Sequence, residues 1–474
     1  MRPPILYLTI AFGAGLCAGL QGSGEWGVVL PVLLGAGLLA RRAPLGAALG
    51  VMVVAGVMWG GAALREQRAS CMGQHARAAI IRLTDPAPSA GGVVEASVRG
   101  GPCRGTLTIR WPDGHPAHGG TTWVVAGRFL GDGSRGVLVA RRVRELDAVP
   151  RGRGALRDRV AERSRQLFGS RAPLVDALVI ARRAELDAEL RERYTRSGLA
   201  HLLSISGLHV GFFAAWLNVL LLRLRLGTRA RFVAGTVVML AYVWLLGFPA
   251  PAARSAAMLV VLDVAKLRQR VVAPRGLVAL AALCVMLGDP WAMQSVGAWL
   301  SVAAVAAVIW AGRATERLPK VLRLLAPAAA ATVLTAPITA YTFGTVAPIG
   351  VVANLAAIPL AGLAVPGLMV ALLLSSSWLA AGAGLCLALL DVVAKAAAAL
   401  PGGHFIMIAG PQAALLWLAI LALAWWLWNS PRRRWLVAVR VALVGALISW
   451  TTLFHAFTRL SVCSCLTVSF LDVG

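Results

Sequence analysis

Residues 201–211 read HLLSISGLHVG, and they mark the point where a long polar segment gives way to a long apolar one. Two histidines, two serines and two glycines enter what reads as the start of a membrane helix. Polar groups without partners are costly in hydrocarbon, so these side chains need hydrogen bonds or water. The fold is decided by whether the apolar segment that follows crosses a bilayer.

The composition indicates that it does. The chain has 474 residues, is 58% hydrophobic and has a mean hydropathy of +0.75. Only 14% of its residues are charged, against about 25% in an average soluble domain. These values are typical of an integral membrane protein.

The charge balance is strongly basic, with a formal net charge of +26. Such an excess suits an anionic polymer or an anionic membrane surface. Arg and Lys cluster in short loops, for example at 223–231 and 266–275, and basic short loops stay on the cytoplasmic side. This pattern predicts a multi-pass protein with a cytoplasmic N-terminus and with residues 64–198 external.

The predicted fold is a polytopic α-helical membrane protein with a small external β-barrel of OB type inserted after the third transmembrane helix. Short β-like runs such as TTWVVAGRFL, separated by Gly, Pro and Asp, indicate the barrel. The predicted divisions are three spans in 1–63, the barrel in 64–150, amphipathic surface helices in 151–198, about ten spans in 199–455, and the start of another domain in 456–474.

Pro and Gly interrupt two of the later apolar runs, GFPAPAARSAAM at 247–258 and NLAAIPLAGLAVPG at 354–367. Broken helices at membrane depth are tolerated where protein or a water-filled cavity covers the freed backbone. Arg254 lies in the first run, where a guanidinium must pair, snorkel, face water or meet a phosphate. Asn354 opens the second run, where it caps freed backbone groups or contacts a substrate.

Three interpretations compete for His201, Ser204, Ser206 and His209. A serine nucleophile with a histidine base lacks a nearby carboxylate and a G-x-S-x-G elbow. A metal site lacks carboxylate or thiol partners. Polar lining of a conduit, with Gly207 and Gly211 permitting close helix contact, is the favoured interpretation.

One further set of residues in the predicted external segment has two alternative interpretations. A stacking and phosphate-binding surface for DNA competes with a barrel core beneath a solvated basic face. Its members are Arg104, Arg110, Trp111, Trp123 and Arg128.

Four stretches together resemble the ComEC family of competence proteins. SGLAHLLSISGLHVG (197–211) is similar to that family's signature, and PAPAARSAAM (249–258) to its Pro-x-x-x-Arg-x-x-x-Met segment. DPWAMQSVGAWLSVAAVAAV (289–308) resembles a helix in which Trp299 stands where the family usually has Phe. APITAYTFGTVAPIGVVANLAAIPL (336–360) follows the family's spacing of Pro, Phe and Asn.

The resemblance implies an inner-membrane channel for uptake of single-stranded transforming DNA during natural competence. It places His201, Ser204, Ser206, Gly207, His209, Arg254 and Asn354 along the DNA pathway. It also implies a Cys71–Cys103 disulfide in the external segment, with two separate thiols as the alternative. The partners it implies are membrane lipid, an external DNA receptor, and a cytoplasmic ATPase or single-strand-binding factors; self-association into a homo-oligomer stays open.

The last residues, LTVSFLDVG (466–474), resemble the strand that opens a metallo-β-lactamase-like domain in this family. The sequence has no H-x-H-x-D-H motif, so no metal site, cofactor or catalytic residue is predicted, and an enzymatic activity is not expected of this chain. Two alternatives remain: a secondary transporter of a small solute, and the membrane half of a split metal-dependent nuclease.

Overall fold

The computed structural model describes most of the chain up to residue 406. The described residues are 4–22, 44–71, 77–87, 91–101, 103–130, 137–183, 185–270, 273–315, 319–406 and 417. The predicted span at 26–40, the last spans at 411–429 and 435–455, and the segment 456–474 lie outside these residues, apart from Trp417.

Helices dominate the described residues. They are α1 (Pro4–Leu20), α2 (Pro44–Ala69), α3 (Gly152–Phe168), α4 (Ala172–Ile180), α5 (Ala188–Arg196), α6 (Gly207–Arg223), α7 (Thr228–Leu246), α8 (Ala250–Leu267), α9 (Pro274–Gly288), α10 (Val296–Ala314), α11 (Lys320–Phe343), α12 (Gly350–Leu374) and α13 (Ser377–Ala399). Short 3-10 turns lie at Gly169–Arg171, Ala200–Leu202 and Pro290–Gln294.

Five of these helices are long and apolar enough to cross a membrane. Within the described residues they are Leu45–Ala69, Thr228–Leu246, Leu322–Phe343, Gly350–Leu374 and Ser377–Ala399, and shorter apolar helices accompany them. A bilayer core of about 30 Å requires about 20 residues of helix, which these lengths supply. The chain is therefore treated as a polytopic helical membrane protein.

Strands form a small β domain between α2 and α3. They are β1 (Ala78–Leu83), β2 (Gly92–Gly100), β3 (Thr106–Trp111), β4 (Thr122–Leu130) and β5 (Val137–Asp147). The strand order is β1-β2-β3-β5-β4, and β4 also pairs with β1, so each of the five strands has two neighbours. The β3–β5 contact is parallel and consists of two residue pairs, Ile109 with Leu138 and Arg110 with Val139. The prediction of a small β domain is confirmed, and its OB type stays a prediction.

Glycines bring α1 and α2 into backbone contact. A Cβ on Gly15 would lie 2.0 Å from the carbonyl oxygen of Val53, and one on Gly56 would lie 2.2 Å from that of Phe12. Gly19 and Gly60 repeat the arrangement one turn further along. Two of the G-x-x-x-G patterns thus face each other, which is how small residues allow helices to approach in membranes.

The segment after the β domain differs from the predicted surface helices. Ala172 and every residue from Leu174 to Ile180 in α4 are buried, in a cluster with α12 and α13. Burying each such aliphatic side chain contributes about 1.5–3 kcal/mol. Asp176 is buried with them, and this burial raises the pKa of its carboxyl. The prediction of a surface helix is wrong for 172–180, because residues of α12 and α13 cover this apolar run.

Helix α12 is continuous where the sequence predicted a break. It runs from Gly350 to Leu374 with Pro359 and Pro366 inside it. Its buried face is a stripe of small residues at helical spacing, Ala353, Ala357, Ala361 and Ala364. The predicted break at 247–258 does occur, since α7 ends at Leu246 and α8 begins at Ala250.

A buried network joins the β domain to the helices. The Arg157 guanidinium is 3% exposed, lies 2.8 Å from the Asp85 carboxylate in the β domain, and donates to the Ile180 carbonyl at 2.7 Å. Burial lowers the pKa of Arg157, although the Asp85 carboxylate acts in the opposite direction. The next residue, Asp158, pairs with Arg182 and accepts a hydrogen bond from the Gly119 N–H at 2.6 Å. The two ion pairs therefore hold α3 against the β domain, through Asp85, and against the segment after α4, through Arg182.

A disulfide links α2 to the β domain at another point. Cys71 and Cys103 are bonded, with their Cα atoms 4.8 Å apart. The backbone supports the link, because the Cys71 N–H donates to the Arg104 carbonyl at 3.0 Å. The disulfide therefore joins the segment directly after α2 to the turn between β2 and β3.

Replacing Asp85 with Asn tests the network. The substitution leaves a buried guanidinium without its counter-ion, so we expect a loss of about 3 kcal/mol of stability. Thermal unfolding of the detergent-solubilised protein, followed by near-ultraviolet circular dichroism, measures the change. Glu162→Gln is the control, since the exposed Arg165–Glu162 pair is worth about 0.5 kcal/mol or less. Equal effects of the two substitutions would contradict the assignment.

Candidate polar pathway site

The HLLSISGLHVG stretch is a loop that leads into a helix. Ala200–Leu202 form one 3-10 turn, and helix α6 begins at Gly207 with Ser206 before it. The sequence predicted a span that begins at 199, so the helix begins eight residues later than predicted. His201 is exposed, and the Ser204 hydroxyl donates to the His201 carbonyl at 3.2 Å. His201, Ser204 and Ser206 therefore precede the membrane helix rather than lie inside it.

His209 is the buried polar residue of this stretch. It is 1% exposed, and its Nδ1 accepts from the Ser206 N–H at 3.3 Å with the Ser206 Oγ 3.1 Å away. An Nδ1 that accepts leaves the proton of the neutral ring on Nε2. The Nε2 atom is buried and has no hydrogen-bond partner among the described residues. His209 thus offers one unpaired donor inside the protein.

Glycines set the contacts of this segment with two other helices. A Cβ on Gly207 would lie 2.2 Å from the Ser255 Oγ of α8, and one on Gly198 would lie 2.7 Å from the Gly350 Cα of α12. By contrast, Gly211 has no atom within 4 Å of its would-be Cβ in the described structure. Of the predicted Gly207–Gly211 contact motif, Gly207 alone makes the close approach.

Arg254 lies one turn inside α8 and reaches α10. Its side chain is 5% exposed, and Nη2 donates to the Gly297 carbonyl at 3.1 Å and to the Ser301 Oγ at 2.7 Å. The Nη1 atom is buried without a hydrogen-bond partner in the described part of the chain. The guanidinium therefore joins two helices with one nitrogen and keeps a second one available.

Asn354 lies in the first turns of α12, and its Oδ1 atom is buried without a partner among the described residues. The expectation that this oxygen caps a freed backbone N–H is wrong, because α12 has no break there to leave one. Asn354 adds a third polar side chain with an unused hydrogen-bonding atom. The three are carried by α8, α12 and α6, and α6 packs against both others.

Trp111 and Trp123 form part of the β-domain core. They are 2% and 7% exposed, their rings meet edge to face at 5.2 Å, and each indole N–H is already bonded. They cannot stack on bases in this conformation, which corrects their assignment to a DNA-binding surface. Arg104, Arg110 and Arg128 are exposed, as that assignment requires. The alternation of the strands placed the aromatic side chains inside and the arginines outside.

Sequence analysis missed Ser255, Ser301 and the ion pair of Asp391. Ser255 directly follows Arg254, and Ser301 lies one turn beyond Gly297, so their proximity required the helix packing. Asp391 lies within α13 and pairs with Arg193 at 3.0 Å and Lys395 at 3.0 Å. Within the described residues, no group of three His, Cys, Asp or Glu side chains is placed to hold a metal ion.

The comparisons with known proteins identify the family. A family model described as Competence protein matches residues 178–433, which is more than half of the chain and contains the segment from His201 to Asn354. The chain belongs to the competence protein family. Competence protein ComA of Neisseria gonorrhoeae is 42% identical over 147 residues, which are 29% of this chain and 21% of that protein.

A second relative is the uncharacterized protein YcaI of Escherichia coli K12. It is 30% identical to this competence protein over 198 residues, which are 39% of this chain and 26% of YcaI. The chain thus spans about a quarter or less of the length of the curated relatives it matches. No solved structure matches the chain.

Replacing Gly207 with Val tests the contact at the start of α6. The added side chain collides with Ser255, so we expect a loss of about 1–3 kcal/mol in the stability of this competence protein. Scanning fluorimetry of the solubilised protein measures the shift. Gly211→Val is the matched control and should change stability little, since its site is open.

A second substitution separates the Gly207 contact from a general effect on the helix. Ser255→Gly removes the colliding hydroxyl, so the double variant should recover part of the loss. A Gly211→Val variant as damaged as Gly207→Val, with no recovery in the double variant, would contradict the packing interpretation.

Proposed function

We propose that this chain is an inner-membrane channel component that passes single-stranded DNA into the cytoplasm during natural competence. Membership of the competence family and the apolar helices support a role in DNA uptake at a membrane. The observation that carries the finer proposal is the set of buried, unpaired polar atoms on α6, α8 and α12: His209 Nε2, Arg254 Nη1 and Asn354 Oδ1.

A conduit would explain why these polar atoms are left without partners within the protein, because a passing strand would supply their hydrogen bonds. A buried polar atom that lacks a partner costs about 1–3 kcal/mol, and ionisable groups inside membranes usually serve a pathway. A passing phosphate accepts from the donors His209 and Arg254, and a passing base donates to or accepts from Asn354. The phosphate contacts do not distinguish sequences, as a route for transforming DNA requires.

The β domain supports a place for DNA outside the membrane. Its strand order is that of an OB-type barrel, with β3 beside β5, and we propose that it belongs to this class. Arg110 and Arg128 are both register partners of Val139, on opposite sides of β5. Neighbouring strands lie about 4.8 Å apart, so these exposed arginines are about 10 Å apart across the outer face. A basic face of this kind binds a phosphate backbone without sequence preference.

The proposed topology follows from the loop charges, with the N-terminus cytoplasmic and the β domain external. An external receptor would deliver the strand to the β domain, and a cytoplasmic ATPase or single-strand-binding factors would draw it inward. Arg225 lies in the loop between α6 and α7, and Arg229 lies in the first turn of α7, on the side where the strand would emerge.

Replacing Arg254 with Ala tests the conduit. In a transformable host that carries this chain as its sole copy, we expect at least a tenfold loss of nuclease-protected labelled DNA, with surface-bound DNA unchanged. Removing one charge-assisted hydrogen bond, worth about 1.5–3 kcal/mol, accounts for this size of effect. Arg254→Lys should restore little, because an ammonium cannot bond Ser301 and a phosphate in the same fork geometry.

The controls separate a pathway role from a structural one. Ser301→Ala removes a contact of Arg254 within the protein and leaves the free Nη1 in place, so it should transport DNA nearly normally. Lys266→Gln changes an exposed cation paired with Asp263 and should have no effect. Normal DNA entry in a well-expressed Arg254→Ala variant would overturn the proposal, as would an equal loss with Ser301→Ala.

A further inference from the structure

A groove lies between the end of α3 and the first half of α13. It has a volume of about 410 Å³ and is lined on one side by Leu167 and Phe168, and on the other by Ala381 and Leu385. Two polar side chains, Arg171 and Ser377, also line it. The groove therefore has apolar side chains on both sides and a hydrogen-bonding part near the start of α13.

The groove opens on an exposed apolar face. Leu385 is 62% exposed and Trp378, at the start of α13, is 81% exposed. The preceding turn holds Ser375 and Ser376, Ser377 is the first residue of α13, and polar residues with an adjacent Trp are typical of the membrane–water interface. The groove thus runs from this polar end along a helix that is long and apolar enough to cross a membrane.

Arg171 is the charged residue at this groove. Its Nη1 donates to the Gly384 carbonyl at 3.2 Å, which holds the guanidinium against α13. A guanidinium has five N–H donors, so this bond leaves others for an anion. The neighbouring cavity has three carboxylates, those of Glu185, Asp187 and Asp391, and among the described residues none of them forms an ion pair with Arg171. The guanidinium therefore keeps donors for an anion from outside the described residues.

We propose that this groove binds an anionic phospholipid, with its phosphate at Arg171 and Ser377 and an acyl chain along α13. The lining runs from Ser377 to Ala388, which is about 16 Å of helix at 1.5 Å per residue. That length accommodates most of a 16-carbon chain. The small side chains at Ala381 and Gly384 make the room, while Arg171 supplies a planar fork that matches a phosphate.

Native mass spectrometry of the purified full-length chain tests the site. The probes are phosphatidylglycerol and phosphatidylcholine with identical acyl chains, added at equal concentration to the delipidated protein in detergent. We expect at least fivefold more retained phosphatidylglycerol, and we expect Arg171→Gln to abolish this preference. Ala381→Leu fills the apolar part and should also reduce binding, although the charge remains.

Arg159→Gln is the matched control, because Arg159 is exposed on the same segment and lies outside the groove lining. It should bind phosphatidylglycerol like the unaltered chain. Glycerol phosphate, which has no acyl chains, should fail to displace the lipid. Circular dichroism spectra and elution volumes verify that each variant is folded.

Three results would overturn the proposal. One is equal retention of the two lipids by the unaltered chain. Another is a loss of phosphatidylglycerol in Arg159→Gln as large as in Arg171→Gln. The third is unchanged lipid binding in Arg171→Gln together with weaker binding of a single-stranded oligonucleotide, which would assign Arg171 to DNA.

Discussion

The buried contact between Arg157 and Asp85 is the interaction on which the arrangement of the two parts of the chain depends. One guanidinium holds the β domain through Asp85 and the end of α4 through the Ile180 carbonyl. Because α4 is enclosed by α12 and α13, the position of the β domain is fixed relative to the membrane helices. An arginine suits this role, since its planar fork serves two acceptors while remaining charged.

The same device recurs along the chain. Arg163 donates to the Leu372 carbonyl, Arg171 to that of Gly384, and Arg254 to that of Gly297. In each case a guanidinium binds a backbone oxygen of another helix, which stabilises helix contacts without a carboxylate. Bonds of this kind account for part of the large excess of basic over acidic residues, because an arginine with a main-chain acceptor needs no carboxylate partner.

Much of the architecture could be predicted from the sequence, because apolar length and strand alternation are local properties. The five long apolar helices and the β domain followed from them, and Pro and Gly marked the break before α8. The enclosure of α4 could not be predicted, since short charged helices flank it and its cover comes from residues 353–397, far away in the chain. At the site, Arg254 and His209 stood out as polar groups in apolar runs, whereas Ser255 and Ser301 depended on helix packing. The indoles of Trp111 and Trp123 were misassigned, because strand alternation leaves open which face is inside.

The path of the segment after the β domain constrains how the membrane helices are placed. Gly198 touches Gly350 at the start of α12, and Arg163 bonds Leu372 near its end. Helix α12 has 25 residues, or about 37 Å of length. A segment that reaches both ends of a helix of this length cannot lie wholly outside a bilayer that the helix crosses upright.

Two arrangements satisfy this constraint: either α12 is steeply inclined, or α3–α5 enter the membrane region and form a polar wall there. The burial of α4 favours the second arrangement, since a helix resting on the surface would leave one face open. In that arrangement, the charged residues of α3 and α5 give the membrane region a polar side, next to α12 and α13.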